Sequence, residues 1–193
     1  MKKARVYIGL LHYPMYNKNG AVITTSVTNL DVHDIARTAR TYEVEQFFII
    51  HPSAKQQEML QVITSYWQEG YGVTYNADRN EALQRVSLCK TLTEVQEEIE
   101  REVGMKPILV ATDAKPHPQT VSYTALREQI FTDSAAYLIL FGTGWGMTEE
   151  LIAGCDLILP PIEAADSDYN HLSVRSAVAI IIDRLLGEKW FSF

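Results

Sequence analysis

The sequence predicts an α/β protein with a mostly parallel sheet and helices on both faces. Apolar runs rich in β-branched and aromatic residues alternate with stretches of helical periodicity from end to end. Two late runs, Tyr137–Phe141 and Leu157–Leu159, are apolar throughout and read as buried strands. Each ends in a loop where glycine or proline brings backbone close to whatever binds there, and a helix start follows each loop. Such a pocket is built from main-chain groups more than from charged side chains, which points to a cofactor-using enzyme over a plain binding module.

Taken in order, Arg5–Leu11 reads as a strand. Asp31–Tyr42 is a helix carrying Ile35, Ala36, Ala39 and Tyr42 on one stripe. Gln46–Ile50 is a strand ending at His51-Pro52. Gln56–Trp67 is a helix presenting Met59, Leu60, Ile63 and Trp67, and Gly70 stops it. Gly72–Tyr75 is expected as a further strand and Asp78–Val86 as a short helix. Thr91, with Glu94 three residues on, forms a capping box for a helix that buries Leu92, Val95 and Ile99 and ends at Gly104. Pro107–Ala111 is a strand, Ser122–Phe131 a helix and Tyr137–Phe141 a strand. Thr148–Ala153 is a short helix, Leu157–Leu159 a strand, and His171–Leu186 the closing helix. The loop Thr112–Ser122, with two prolines, is a candidate lid. No repeat, low-complexity tract or linker divides the chain, so residues 1–193 read as one domain.

Composition narrows the function. A content of 47% hydrophobic and 21% charged residues over 193 residues is that of a soluble globular domain. No apolar run approaches the roughly 18 residues of a membrane span. The basic start Met1-Lys2-Lys3-Ala4-Arg5 precedes an apolar stretch broken by Tyr7, Gly9 and His12, which suits a first strand and not a signal peptide. Cys89 and Cys155 lack CxxC spacing, arguing against a disulfide framework or a zinc site and for a cytoplasmic setting. The net charge of −7 disfavours a nucleic-acid partner without excluding one. Glu94, Glu97, Glu98, Glu100 and Glu102 concentrate on one helix that can face away from RNA. Lys2, Lys3, Arg5, Lys18, Arg37, Arg40, Arg175 and Arg184 are candidates for a shared basic face.

In an open parallel sheet, ligands gather beyond the carboxyl ends of the strands. Those ends here are Ala111-Thr112, Gly142-Thr143-Gly144 and Leu159-Pro160-Pro161-Ile162. The turn Gly142-Thr143-Gly144-Trp145-Gly146 is not the dinucleotide fingerprint, because Met147 stands where the third glycine belongs and the turn comes late in the chain. A nicotinamide enzyme is the weakest reading. The five histidines form no metal-ligand pattern, and Ser173 lacks a nucleophile elbow. Arg37 follows the buried stripe of its helix and is placed to hold a phosphate or steady a reacting base. Glu163, Asp166 and Asp168 crowd the loop before the last helix, where one can serve as a general base.

These residues resemble the SPOUT, or α/β-knot, class of RNA methyltransferases. Asn29…Ile35-Ala36-Arg37-Thr38-Ala39 is similar to its first sequence region, Leu138–Met147 to its second. Leu157–Ile162 with Leu172-Ser173-Val174…Ala177-Val178-Ala179-Ile180 is similar to its third. The resemblance spans about Asn29 to Gly187. It implies a C-terminal trefoil knot, a homodimer, an RNA substrate (tRNA or rRNA) and S-adenosylmethionine as cofactor. By position, Ala111, Thr112, Gly142, Thr143, Gly144, Leu159, Pro160, Ile162, Leu172 and Ser173 would bind the cofactor. Asn29 and Arg37 would meet substrate, with Arg37 and Asp168 catalytic and no metal involved. Ser173 stands where the ribose-methylating branch has asparagine, and Gly144 where it has glutamate. Asp168-Tyr169 is similar, with one extra residue, to the base-bearing loop of the guanine-N1 branch. Ribose 2′-oxygen and base nitrogen both stay open as acceptor. The alternative is a catalytically silent dimeric module of the same fold.

Overall fold

The computed structural model describes residues 4–188. Its strands, in chain order, are β1 (Arg5–Leu11), β2 (Met15–Tyr16), β3 (Val22–Ile23), β4 (Gln46–Ile50), β5 (Val86–Cys89), β6 (Ile108–Ala111), β7 (Ala136–Gly142) and β8 (Leu157–Ile158). The helices are α1 (Asn29–Thr41), α2 (Ala54–Gln68), α3 (Gly72–Tyr75), α4 (Ala77–Leu83), α5 (Leu92–Val103), α6 (Tyr123–Thr132), α7 (Glu149–Ala153) and α8 (Val174–Leu186). Six strands make one sheet in the order β5-β4-β1-β7-β6-β8, with every pairing parallel.

Side chains of β1 alternate between two cores, as the period of a strand requires. Val6, Ile8 and Leu10 meet Ile35, Leu60, Leu83, Leu126 and Ile182 from α1, α2, α4, α6 and α8. On the opposite face Tyr7, Leu11 and Phe48 meet Val95 and Ile99 of α5 and Ile152 of α7. The predicted architecture is therefore the observed one. Covering both faces is what makes the central strands read as nearly continuous apolar runs. At about 1.5–3 kcal/mol per fully buried large side chain, these two layers supply most of the driving force for folding.

The predicted capping of α5 holds at both ends. The Thr91 hydroxyl accepts from the Glu94 N–H at 3.2 Å, and Gly104 closes the helix in the left-handed region at φ +81°. The Glu94 carboxylate accepts from the Lys90 N–H, one residue before the cap, so the return bond of the capping box is displaced.

Two element assignments need correction. Gly72–Tyr75, expected as a strand, is the short helix α3, in which the Asn76 N–H donates to the Gly72 carbonyl. Tyr71 and Tyr75 both face solvent, so the segment has no pair of buried faces to offer a sheet. The edge position is taken instead by β5, part of which was expected as the end of the Asp78–Val86 helix. The hairpin of β2 and β3 went unforeseen, since two residues per strand show no alternation. The last helix starts at Val174, three residues later than expected, and His171-Leu172-Ser173 remain outside it.

Charges also segregate. The glutamate-rich α5 lies on one side of the sheet, and α1, α2 and α4 lie on the other. Of the candidates for a shared basic face, Arg5 bonds Glu102, Arg40 bonds Glu43 and Glu81, and Arg175 bonds Asp31. Lys2 and Lys3 lie outside the described residues. Among the described residues no helix is long and apolar enough to cross a membrane.

Candidate active site

From β1 the chain moves to β4 and β5 in one direction, while β7, β6 and β8 lie in the other. The reversal between β1 and β7 opens a crevice at the carboxyl edge of the sheet, where ligands of open α/β sheets sit. A cavity of about 920 Å³ occupies that place. Four loops line it: the glycine turn 142–146, the β6 loop from Thr112 to Lys115, Ile162 after β8, and residues 169–175 leading into α8. Thr25, Thr28 and Asp31, from the approach to α1, complete the wall.

The glycine turn is held by the β2 hairpin. The Tyr16 N–H donates to the Gly146 carbonyl at 2.9 Å, and the Trp145 N–H donates to the Tyr16 carbonyl at 3.1 Å. A Cβ on Gly142 would lie 2.8 Å from Met147 Cγ. Gly144 has φ +62°, a region in which side chains are rare, and the cavity approaches bare backbone there.

Beneath the turn lies a polar floor. The Thr143 hydroxyl donates to the Leu11 carbonyl at 2.9 Å, so its oxygen is left to accept from the adjacent Thr25 hydroxyl. The Thr25 oxygen then accepts from His12 Nδ1–H at 3.0 Å. That accounting makes His12 a neutral ring protonated on Nδ1, with a buried Nε2 that has no hydrogen-bond partner. His51 is also neutral: its Nε2–H donates to the Thr25 carbonyl at 2.9 Å and its Nδ1 accepts from the Ser53 N–H at 3.0 Å. Burial lowers the proton affinity of both rings. For His12, burial and then the nearby His51 push the pKa down to about 3.

Two further pairs frame the mouth. Arg175 reaches Asp31 and Asp34, each at 3.4 Å, joining the start of α8 to the start of α1. The His117 Nε2–H donates to the Asp113 carboxylate at 2.9 Å within the proline-bearing loop, and Asp113 faces the cavity. The two cysteines are unpaired and burial raises their pKa values, Cys89 to about 12 and Cys155 to about 11, so neither is a ready nucleophile.

Of the residues singled out in the sequence, Thr112, Gly142, Thr143, Gly144, Ile162, Leu172 and Ser173 share this one cavity. Ala111 and Leu159 are fully buried behind the lining, joined by the Leu159 N–H to the Ala111 carbonyl at 2.9 Å. The Pro160 carbonyl accepts from the Tyr123 hydroxyl at 3.0 Å. Asn29 opens α1 beside Thr28, and Arg37 is exposed further along the same helix, away from the lining. Asp168 is exposed next to Tyr169, which lines the mouth. The His12–Thr25–His51 floor escaped the sequence reading. Its signal was available: His12 and His51 each follow a predicted strand, and those strands are neighbours with Leu11 opposite Ile50.

Comparison with known proteins agrees with this geometry. Residues 5–187 match a family described as SAM-dependent RNA methyltransferase. A protein of Aquifex aeolicus is 48% identical over 97% of this chain and 91% of its own length. A tRNA (guanine-N(1)-)-methyltransferase of Oleidesulfovibrio alaskensis is 38% identical over 95% of this chain, which spans only 42% of that relative. Among solved structures, the SpoU methyltransferase AviRb from Streptomyces viridochromogenes, in complex with AdoMet, matches 96% of this chain and 58% of its own. Its TM-score is 0.58 at 14% identity, a likeness of fold. With the family matched over nearly its whole length and the glycine-turn cavity in place, the chain belongs to the SAM-dependent RNA methyltransferases.

Proposed function

We propose that this chain transfers a methyl group from S-adenosylmethionine to a tRNA or rRNA, at a base nitrogen or a ribose 2′-oxygen. The observation that carries the reading is the convergence of Thr112, the glycine turn, Ile162 and Leu172-Ser173 on one cavity of about 920 Å³. The residues fit the cofactor. Gly144 lines the cavity with bare backbone because a Cβ there would meet Thr25 Cγ2 at 2.9 Å, which suits a flat, neutral adenine read by main-chain groups. The lining balances Asp31 and Asp113 against Lys115 and Arg175, so it presents no net positive charge to a sulfonium.

The cofactor, when bound, supplies a methyl already activated on sulfur, so the protein has to align the acceptor and take up its proton. Asp168, beside Tyr169 at the mouth, is the proposed proton acceptor. Exposed Arg37 is the proposed RNA contact that orients substrate, and Asn29 lies on the same approach. The name of the 38%-identical relative supports tRNA as the substrate and guanine N1 as one acceptor atom. A C-terminal trefoil knot, a homodimer and a cytoplasmic setting belong to the same reading.

The test is incubation of the purified protein with isotopically labelled S-adenosylmethionine and total tRNA or rRNA, followed by nuclease digestion and mass spectrometry of the nucleosides. Label in a base or in a ribose identifies the acceptor. Cofactor binding with no label in any RNA would replace this reading with the silent dimeric module.

A further inference from the structure

We propose a second RNA-contacting surface beside the cavity, formed by His33 and Arg37 of α1, Tyr66 and Trp67 of α2 and Arg79 of α4. It holds nucleotides flanking the one that enters the active site, and it rests on the RNA methyltransferase reading above.

Three observations build it. The Arg79 guanidinium lies over the Trp67 ring at 4.8 Å from its centre. Tyr66 and His33 meet the same ring edge-on, at 5.1 and 5.6 Å between centroids. This is a packed aromatic cluster capped by a cation, the arrangement on which single-stranded bases stack. Secondly, neither Arg79 nor Arg37 has a carboxylate within ion-pair distance among the described residues, whereas Arg5, Arg40, Arg85 and Arg175 all do. Both guanidiniums act on His33, whose proton affinity is lowered by burial and by Arg79, partly restored by Asp34, and lowered again by Arg37. Two guanidiniums that act on one ring and have no ion-pair partner of their own among the described residues are complementary to a phosphate backbone.

Thirdly, the surface shares helix α1 with the active site. Asp31 lines the cavity, and Arg37 follows six residues later on the same helix, about 9 Å along its axis at 1.5 Å per residue. Tyr71 and Tyr75, 68% and 67% exposed with rings 6.0 Å apart, extend the aromatic face onto α3. The acidic α5 lies across the sheet, so its glutamates are kept away from this surface. An apolar protein partner would leave the two guanidiniums without counterions, and RNA supplies them.

The experiment measures tRNA affinity of the full chain by filter binding at several salt concentrations, for wild type, Arg79→Glu, Arg79→Lys and Tyr66→Ala. Titration with S-adenosylmethionine and a thermal melt of each variant establish that cavity and fold are intact. We expect Arg79→Glu to weaken tRNA binding by about tenfold or more and to flatten the salt dependence, with cofactor affinity unchanged. Arg79→Lys recovers part of the loss through charge without stacking, and Tyr66→Ala weakens binding with little change in salt slope. If all variants bind tRNA like an active wild type, this surface is overturned while the methyltransferase reading stands. If the wild type neither binds nor methylates tRNA or rRNA, the methyltransferase reading fails and this surface with it. Unchanged RNA affinity with altered self-association by light scattering would make the face an interface between copies, which also overturns the proposal.

Discussion

A Cβ placed on Gly144 would stand 2.9 Å from Thr25 Cγ2, at a residue whose φ is +62°. The glycine turn and the loop before α1 are therefore packed as closely as the backbone permits. Replacing Gly144 by valine forces one of them to move. At about 1–3 kcal/mol for a side chain in this region, S-adenosylmethionine affinity should fall by about tenfold or more. Calorimetric titration of the variant checks it, and undiminished affinity would place the cofactor elsewhere.

The buried histidines make stability depend on pH. His12 binds its proton near the ordinary imidazole pKa, about 6.5, when unfolded, and only at about 3 when folded. The unfolded chain therefore holds more protons between those values, and protons favour unfolding. Stability is complete above about pH 6.5 and declines as the pH falls toward 3, with His51, also lowered, adding to the slope. Thermal melts from pH 8 to pH 4 should show this decline, and His12→Gln should flatten it. An identical slope in the variant would assign it to other groups.

Asp31 joins two helix starts: its carboxylate accepts from the Thr28 hydroxyl and from Arg175, and it is 6% exposed. Truncation in Asp31→Ala removes these bonds from a nearly buried site. A cost of about 1–2 kcal/mol follows, or a melting temperature lower by about 3–6 °C for a chain of this size. Differential scanning calorimetry measures it.

The proposed proton acceptor and RNA contact differ in what their loss should change. Asp168→Asn should lower kcat by about 10²-fold or more, with cofactor affinity intact. Arg37→Ala should abolish turnover while leaving S-adenosylmethionine binding nearly intact. Full activity in either variant removes that residue from the mechanism.

How far the sequence reaches can be seen at particular residues. Thr91, Glu94 and Gly104 announce α5 because caps and left-handed glycines act locally. Gly142 and Gly144 announce the cavity because a strand followed by a glycine turn needs no distant partner to be read. Gly72–Tyr75 misled because a four-residue apolar run is ambiguous until the solvent on Tyr71 and Tyr75 is known. The floor of His12, Thr25 and Thr143 depends on which strands become neighbours, and pairing is a property of the whole sheet. Arg79 looks like an ordinary helix arginine until α4 is brought against α2 and its guanidinium comes to lie over the Trp67 ring.

The hydrogen bond from Thr143 to the Leu11 carbonyl closes a loop of 132 residues. No fragment of the chain shorter than that loop can contain the floor of the cavity, and local helix or hairpin formation cannot assemble it early. Cofactor binding should thus report completion of the entire sheet. In a denaturant titration the ability to bind S-adenosylmethionine should vanish together with global structure, and added cofactor should shift that single transition as a whole.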